Sequence, residues 1–297
     1  MKLRIGSRGS KLALTQTKLI ASELEQVNPG LETEIIIIKT KGDIILDKPL
    51  NEIGDKGLFV REIEEALLNG SIDLAVHSLK DMPGEQPAGL EIAFTPKRED
   101  PRDVLITFCG AKSLVELPAN SKIATGSLRR ITQLKNLRQD IEVEGVRGNV
   151  ETRIRKAETG GCQGIVLAAA GLNRLGLTYE GFALSIDEML PAPAQGILGL
   201  ENRCGDEETR KLLRSLHHEA SHRQAQAERG FLRYIEGGCH APMGAYCQIE
   251  AEDFTITGFY DTSKCHYQVS LSGKKGEEYA KGKALALELK EKIKNER

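Results

Sequence analysis

The residues best suited to chemistry follow a short apolar run at residues 72–76, within the segment IDLAVHSLKDMP. The run predicts a strand buried in a parallel sheet, and ligands of such sheets bind at the carboxyl ends of the strands. Because Lys80 and Asp81 lie there beside His77, the carboxylic acid is placed for proton transfer. The alternative is that Ser78 and Asp81 simply begin a helix. Residue types alone leave both interpretations open.

A basic cluster between residues 122 and 156 could bind an anion. It contains nine basic and four acidic residues. Most of these basic residues are expected on solvated helix faces. Arg129, Arg130 and Arg147 differ because we expect them in loops and strand ends that face a cleft, where arginine binds carboxylates or phosphates through two hydrogen bonds.

A cysteine in a glycine-rich loop is a third candidate. Cys239 follows Gly237 and Gly238 and precedes His240. The two glycines leave the sulfur uncrowded, and a neighbouring histidine favours the thiolate. The alternative is a cysteine that only packs in the interior.

Two weaker patterns are rejected as sites. His218 and His222 have the i, i+4 spacing of half a metal site, but no third ligand is evident, and we expect no metal. The segment 196–199, GILG, lacks the full dinucleotide-binding fingerprint and its acidic partner.

Composition narrows the possible partners. The 297 residues include 41 Lys and Arg against 43 Asp and Glu, a net charge of −2, so no overall field favours nucleic acid or a membrane surface. Neither a membrane span nor a signal peptide is expected. Six cysteines without a CxxC pair favour reduced thiols in the cytoplasm.

The elements that position these residues form a weak repeat. A strand, a Gly-Ser loop with arginine, a helix, a second strand and then Lys-Gly-Asp or Arg-Gly-Asn occur at residues 6–43 and 126–149. Ser10 is the predicted N-cap of the first helix. The pattern predicts an α/β protein of two Rossmann-like, doubly wound lobes around a cleft, plus a smaller α+β C-terminal domain with a three-stranded antiparallel sheet. The predicted domains are residues 1–98 with 197–215, residues 99–196, and residues 216–297.

Several motifs along nearly the whole chain resemble the porphobilinogen deaminase (hydroxymethylbilane synthase) family. In order, these are Arg8 and Ser10, Lys41-Gly42-Asp43, Lys56-Gly57-Leu58-Phe59, Val76 to Asp81, Glu99 to Asp103, Ser127 to Arg130, Arg147-Gly148-Asn149, Arg153, Ala170-Gly171-Leu172, Gln195-Gly196, Glu228-Arg229 and Glu236 to Cys239. One departure is Ala241, where the family usually has a β-branched residue. The lobes would then resemble those of periplasmic binding proteins.

The resemblance implies a dipyrromethane cofactor attached through Cys239, onto which four porphobilinogen molecules condense with loss of ammonia before water releases hydroxymethylbilane. This is a step of tetrapyrrole and heme biosynthesis, expected in a cytoplasmic monomer. Asp81 would protonate the leaving amine and stabilise the azafulvene cation, with Lys80 beside it. The residues implied for the cofactor are Cys239, Arg8, Ser10, Asp43, Lys80, Ser127, Arg129, Arg130, Arg147, Gly171 and Gln195. Those implied for the substrate are Arg8, Lys56, Phe59, Arg147, Arg153 and Arg174.

A rival hypothesis is a solute-binding protein whose two lobes close on an anion without catalysis. Such a protein needs neither a reactive cysteine nor a Lys-Asp pair. It would also give no colour with an aldehyde reagent for pyrroles.

Overall fold

The computed structural model describes residues 2–44, 60–235, 241–262 and 265–295 of the chain. These residues form two compact units: residues 1–99 with 197–225, and residues 100–196 with 226–297. The domain boundaries predicted from the sequence stay predictions.

The strands, in chain order, are β1 (Lys2–Ser7), β2 (Glu32–Ile37), β3 (Leu74–Ser78), β4 (Leu90–Phe94), β5 (Asp103–Thr107), β6 (Lys122–Ala124), β7 (Glu142–Glu144), β8 (Gly164–Ala168), β9 (Gly181–Ala183), β10 (Leu198–Arg203), β11 (Met243–Glu250), β12 (Asp253–Asp261) and β13 (His266–Lys274). The α-helices are α1 (Lys11–Val27), α2 (Lys41–Ile44), α3 (Arg61–Leu68), α4 (Leu128–Leu137), α5 (Val150–Thr159), α6 (Ala169–Arg174), α7 (Glu207–Leu213), α8 (Glu219–Tyr234) and α9 (Glu278–Asn295).

The first unit is built on a five-stranded sheet with the order β2-β1-β3-β10-β4. Strands β1, β2 and β3 are parallel, and β10 runs antiparallel to both β3 and β4. Apolar side chains of β1, β3 and β10 pack against the buried face of α1, which carries Ile20 and Leu24. The carboxyl ends of β1 and β3 therefore lie at one edge of the sheet, where the site is described below.

The second unit contains another five-stranded sheet, with the order β7-β6-β8-β5-β9. Strands β6, β7 and β8 are parallel, and β5 is antiparallel to β8 and β9. In each sheet, three parallel strands are thus followed by one antiparallel strand, which pairs on its other side with the fifth strand. This common arrangement accounts for the repeat in the sequence. The predicted pair of α/β sheets is confirmed, with the addition that both are mixed rather than wholly parallel.

The C-terminal part of the second unit is the predicted three-stranded antiparallel sheet, in the order β11-β12-β13. Helices α8 and α9 cover it, with Phe231, Phe254 and Leu285 in a shared core. At Gly282 the two helices come so close that a Cβ atom would lie 1.9 Å from the carbonyl oxygen of Ala227. Glycine is therefore required at this crossing.

Two sequence predictions of local structure are wrong. Arg129 and Arg130 lie in the first turn of α4, which begins at Leu128, and not in a loop. The charged segment 99–103 predicts a turn, but its last residue, Asp103, is the first residue of β5 and is fully buried. The strand β10 follows the segment 190–196, which is rich in proline and glycine, and belongs to the sheet of the first unit. Among the described residues, no helix is long and apolar enough to cross a membrane.

Candidate active site

The strand β3 ends in a single 3₁₀ turn, Leu79–Asp81, that presents two charged residues. Leu79 is fully buried, and its N–H donates to the carbonyl oxygen of Ile197 at 3.0 Å. With that residue anchored, Lys80 is half-buried and Asp81 is exposed. Ser78 makes no side-chain capping hydrogen bond, and no α-helix starts in this described segment. The predicted strand end is confirmed, and the helix that begins after it is a single 3₁₀ turn without a side-chain cap.

Asp81 opens into a depression of about 460 Å³, open solvent included. The lining residues come from the β1–α1 loop, α1, β3 and the turn after it: Arg8, Ser10, Leu12, Ala13, Gln16, Val60, Val76, His77, Ser78, Asp81 and Met82. The structure therefore brings together Arg8, Ser10 and Asp81, three of the predicted site residues.

The first turn of α1 contributes positive potential to this depression. Ser10 is the N-cap, as predicted, and its Oγ accepts a hydrogen bond from the Ala13 N–H at 3.3 Å. Backbone N–H groups at the start of a 17-residue helix, together with the Arg8 guanidinium, favour a carboxylate nearby. The Ser10 hydroxyl itself is partly engaged in capping the helix.

Two polar contacts that sequence reasoning missed, one partly and one fully buried, hold the end of β3. The Gln16 side-chain amide lies 2.9 Å from the Ser78 Oγ and links α1 to the strand. On the other side, His77 Nε2 lies 3.1 Å from Glu201 Oε2 on the neighbouring β10. Both members of this pair are buried, and Glu201 Oε1 has no partner among the described residues. These contacts fix the strand from which Asp81 projects.

A further buried acid, Glu64, interacts with the pair of His77 and Glu201. Glu64 on α3 is 8% exposed, and burial, reinforced by the charge of Glu201, raises its pKa to about 7. His77 and Arg61 oppose this rise. The first unit therefore contains a buried carboxyl group that changes its charge near neutral pH.

The second unit gathers two of the predicted arginines around one carboxylate. Arg129 and Arg130 each donate from Nη2 to Asp103 at 2.7 Å, one to each carboxylate oxygen. The remaining Nη1 groups donate to the carbonyl oxygens of Leu190 and Val166. The two arginines are shielded from solvent, because they are only 4% and 7% exposed.

Burial and charge act against each other in this cluster. Burial opposes ionisation of Asp103, but the two guanidiniums outweigh it and hold the pKa of this carboxyl far below its usual value. Burial also lowers the pKa of Arg129, which Asp103 partly restores. Sequence reasoning did not select Asp103, although the apolar run at residues 104–106 could have identified the start of a buried strand.

The other predicted residues of this unit lie around the same sheet. Gln195 is fully buried and donates to Asp103 Oδ1 at 3.0 Å, while Arg174 donates to the carbonyl oxygen of Gly196 at 2.7 Å. Arg153 donates from Nε to the carbonyl oxygen of Gly148. Arg147 follows β7 and is exposed. Of the remaining predictions, Ser127 is the residue before α4 and Gly171 lies within α6.

Some predicted site residues lie outside the described part of the chain. Lys56, Phe59 and Cys239 fall in the segments 45–59 and 236–240, and for Asp43 only the helical backbone of α2 is described. No cluster that could hold a metal ion occurs among the described residues.

Comparison with known proteins gives two family matches that together span most of the chain. Residues 3–211 match the model "Porphobilinogen deaminase, dipyromethane cofactor binding domain", and residues 222–295 match "Porphobilinogen deaminase, C-terminal domain". The porphobilinogen deaminase of Clostridium novyi is 50% identical over 281 residues, 92% of this chain and 93% of the relative. That of Clostridioides difficile is 50% identical over 265 residues, 89% of this chain and 88% of the relative. Among solved structures, a periplasmic sulfonate-binding protein from Methylobacillus flagellatus aligns distantly, with 14% identity, a TM-score of 0.38, and coverage of 77% of this chain and 67% of that one.

Proposed function

The chain belongs to the porphobilinogen deaminase family, and from this premise we propose how its residues divide the work of the reaction. The activity is that of a hydroxymethylbilane synthase, a transferase with a dipyrromethane cofactor. The family match is the observation that carries the proposal. It also removes the rival hypothesis of a binding protein without catalysis.

We assign the proton transfer to Asp81. The substrate, porphobilinogen, must lose its amine from a methylene carbon, which needs a proton at the nitrogen and a negative charge near the cation that remains. Asp81 is an exposed carboxylate at the end of β3, in the depression that Arg8 also lines. After it has protonated the amine, the same carboxylate is negatively charged and balances the cation. Lys80, on the same turn, would keep the acid and the substrate carboxylates oriented.

The described residues fit an anionic cofactor on two grounds. In the first unit, Arg8 and the start of α1 lie beside Asp81. In the second, Arg129 and Arg130 surround a single carboxylate, and Arg130 Nε is buried without a hydrogen-bond partner. When bound, the dipyrromethane would supply the free pyrrole carbon to which the first porphobilinogen unit is joined, and each later unit would be joined to the end of the growing chain. Arg8, Ser10, Arg129, Arg130 and the other residues implied by the family resemblance would hold its carboxylates.

The test compares Asp81→Asn with Asp43→Asn. Asparagine keeps the size of the aspartate but cannot deliver the proton or balance the cation, so we expect turnover of porphobilinogen to fall by at least ~10². The variant should still fold and carry the cofactor when given preformed tetrapyrrole, which circular dichroism and intact mass would verify. If Asp81→Asn kept normal turnover and Asp43→Asn lost it, the catalytic role would pass to Asp43.

We also propose that the enzyme acts as a monomer in the cytoplasm. The five cysteines within the described residues are free thiols, which fits a reducing compartment. Light scattering of the cofactor-loaded protein measures its mass in solution. A stable dimer would refute the monomer.

A further inference from the structure

We propose that Asp103 is a positioning residue for the cofactor: it aligns the guanidiniums of Arg129 and Arg130 so that the pair binds one external carboxylate. The inference rests on the proposed function and extends it to Asp103, which belongs to one of the family motifs but is not among the site residues that the resemblance implies.

The geometry around Asp103 is that of a fixed support. Its Oδ2 accepts from Arg129, and its Oδ1 accepts from both Arg130 and Gln195, at 2.7 to 3.0 Å. Asp103 also begins β5, which is paired on both sides within its sheet. A carboxylate held on a central strand and bound by three donors sets the orientation of both guanidinium planes.

The charges in this cluster do not balance. Two buried arginines face one buried carboxylate, which leaves a net charge of +1 among the described residues that interact there. In addition, Arg130 Nε is a buried donor without a partner. A buried charge without a counter-ion and an unmade hydrogen bond are both costly. One carboxylate from the bound tetrapyrrole would correct both.

Replacing the arginines themselves cannot test this idea cleanly. Arg130→Leu would leave Asp103 short of a donor and would also delete the carboxylate-binding group, so a structural and a functional loss would look alike. Asp103→Glu is more informative because it keeps the negative charge while moving the carboxylate by one methylene. If charge balance were the only role, glutamate would suffice.

The experiment prepares Asp103→Glu in two backgrounds, the cofactor-competent chain and Cys239→Ser. In the cofactor-free Cys239→Ser background we expect a small loss of Tm. In the competent background we expect the share of chains carrying the dipyrromethane adduct, read by intact mass, to fall at least about tenfold, because misplacing a site by about 1 Å costs up to about 100-fold. The loaded fraction should also show a raised KM for porphobilinogen.

A matched control removes a different carboxylate that pairs with an arginine at the end of the same helix. Asp140→Asn breaks the ion pair between Asp140 and Arg138, just after α4, where both groups are partly exposed. This variant should load the cofactor normally.

The outcomes separate the possibilities. Normal loading and KM in Asp103→Glu would overturn the proposal, and so would equal losses of Tm in the two backgrounds accompanied by normal loading. If Asp103→Glu failed to fold, Gln195→Met would remove one support of Asp103 while leaving both ion pairs. Normal loading of that variant would overturn the proposal as well. If even the unaltered chain carried no adduct, the proposed function itself would fail.

Discussion

The buried carboxyl of Glu64 makes the stability of the first unit depend on pH. Its pKa of about 7 in the folded chain compares with 4.5 for the free group. A carboxyl with a raised folded pKa is neutral in both states below about pH 4.5, so it costs nothing there. Between about pH 4.5 and pH 7 the unfolded chain releases this proton while the folded chain keeps it, so stability falls as the pH rises through that range, and the loss is complete above about pH 7.

The size of the loss follows from this difference. One unit of difference between the folded and unfolded pKa corresponds to 1.36 kcal/mol, so the raised pKa of Glu64 lowers the free energy of unfolding by up to about 3 kcal/mol. Because solvent partly screens this group, we expect a loss of about 1–3 kcal/mol. Glu64→Gln removes the ionisation. The variant should therefore match the unaltered protein within about 0.5 kcal/mol at pH 4 and exceed it by about 1–3 kcal/mol at pH 8.

Hydrogen exchange measured by mass spectrometry suits this test. The chain has no tryptophan, and all six tyrosines lie at or beyond residue 179, within the second unit, so optical signals report poorly on the first. Exchange in peptides that cover β3 and α3 should be roughly 5- to 150-fold slower in Glu64→Gln than in the parent at pH 8. Glu65→Gln, an exposed neighbour on α3, is the matched control and should show no difference. Equal protection of parent and Glu64→Gln at both pH values would refute the reasoning.

Three further predictions concern other parts of the chain. Cys239→Ser should abolish the covalent adduct in intact mass and lower Tm, because a stabilising ligand is lost; an adduct mapped to any other cysteine would contradict this. Arg147→Leu should stall chain growth at an early intermediate on native gels, since a charge-assisted hydrogen bond of ~1.5–3 kcal/mol is lost, and an unchanged ladder of intermediates would assign Arg147 to the surface alone. The Glu228 carboxylate accepts from the Ala194 and Cys247 N–H groups. Glu228→Gln should therefore destabilise the second unit by about 1–3 kcal/mol in urea, followed by tyrosine fluorescence, and an unchanged midpoint would show that the amide replaces the carboxylate fully.

Local patterns allowed part of the structure to be predicted from the sequence. The apolar run before His77 identified β3, Ser10 identified the start of α1, and alternation identified the three C-terminal strands. Each of these signals lies within a few neighbouring residues, where periodicity and capping act.

The missed features depend on residues far apart in the chain. Asp103 and Arg129 are separated by 26 positions, Gln16 and Ser78 by 62, and His77 and Glu201 by 124. No periodic pattern connects such pairs. The charges of Asp103 and Arg129 instead favoured an exposed turn and a cleft surface. Buried polar contacts of this kind are satisfied only by the tertiary fold.

The position of β10 has a consequence for how the chain folds during synthesis. This strand lies between β3 and β4 in the sheet and pairs with both of them. In the chain, however, it begins only at Leu198. Strands β5 to β9 form a sheet from one continuous stretch and can pair as soon as they leave the ribosome. The first sheet must wait for about a hundred more residues after Phe94, with one side of β3 and the whole of β4 unpaired. A released chain that ends before residue 198 should therefore expose β4 to proteases and to chaperones, while its second sheet is already protected.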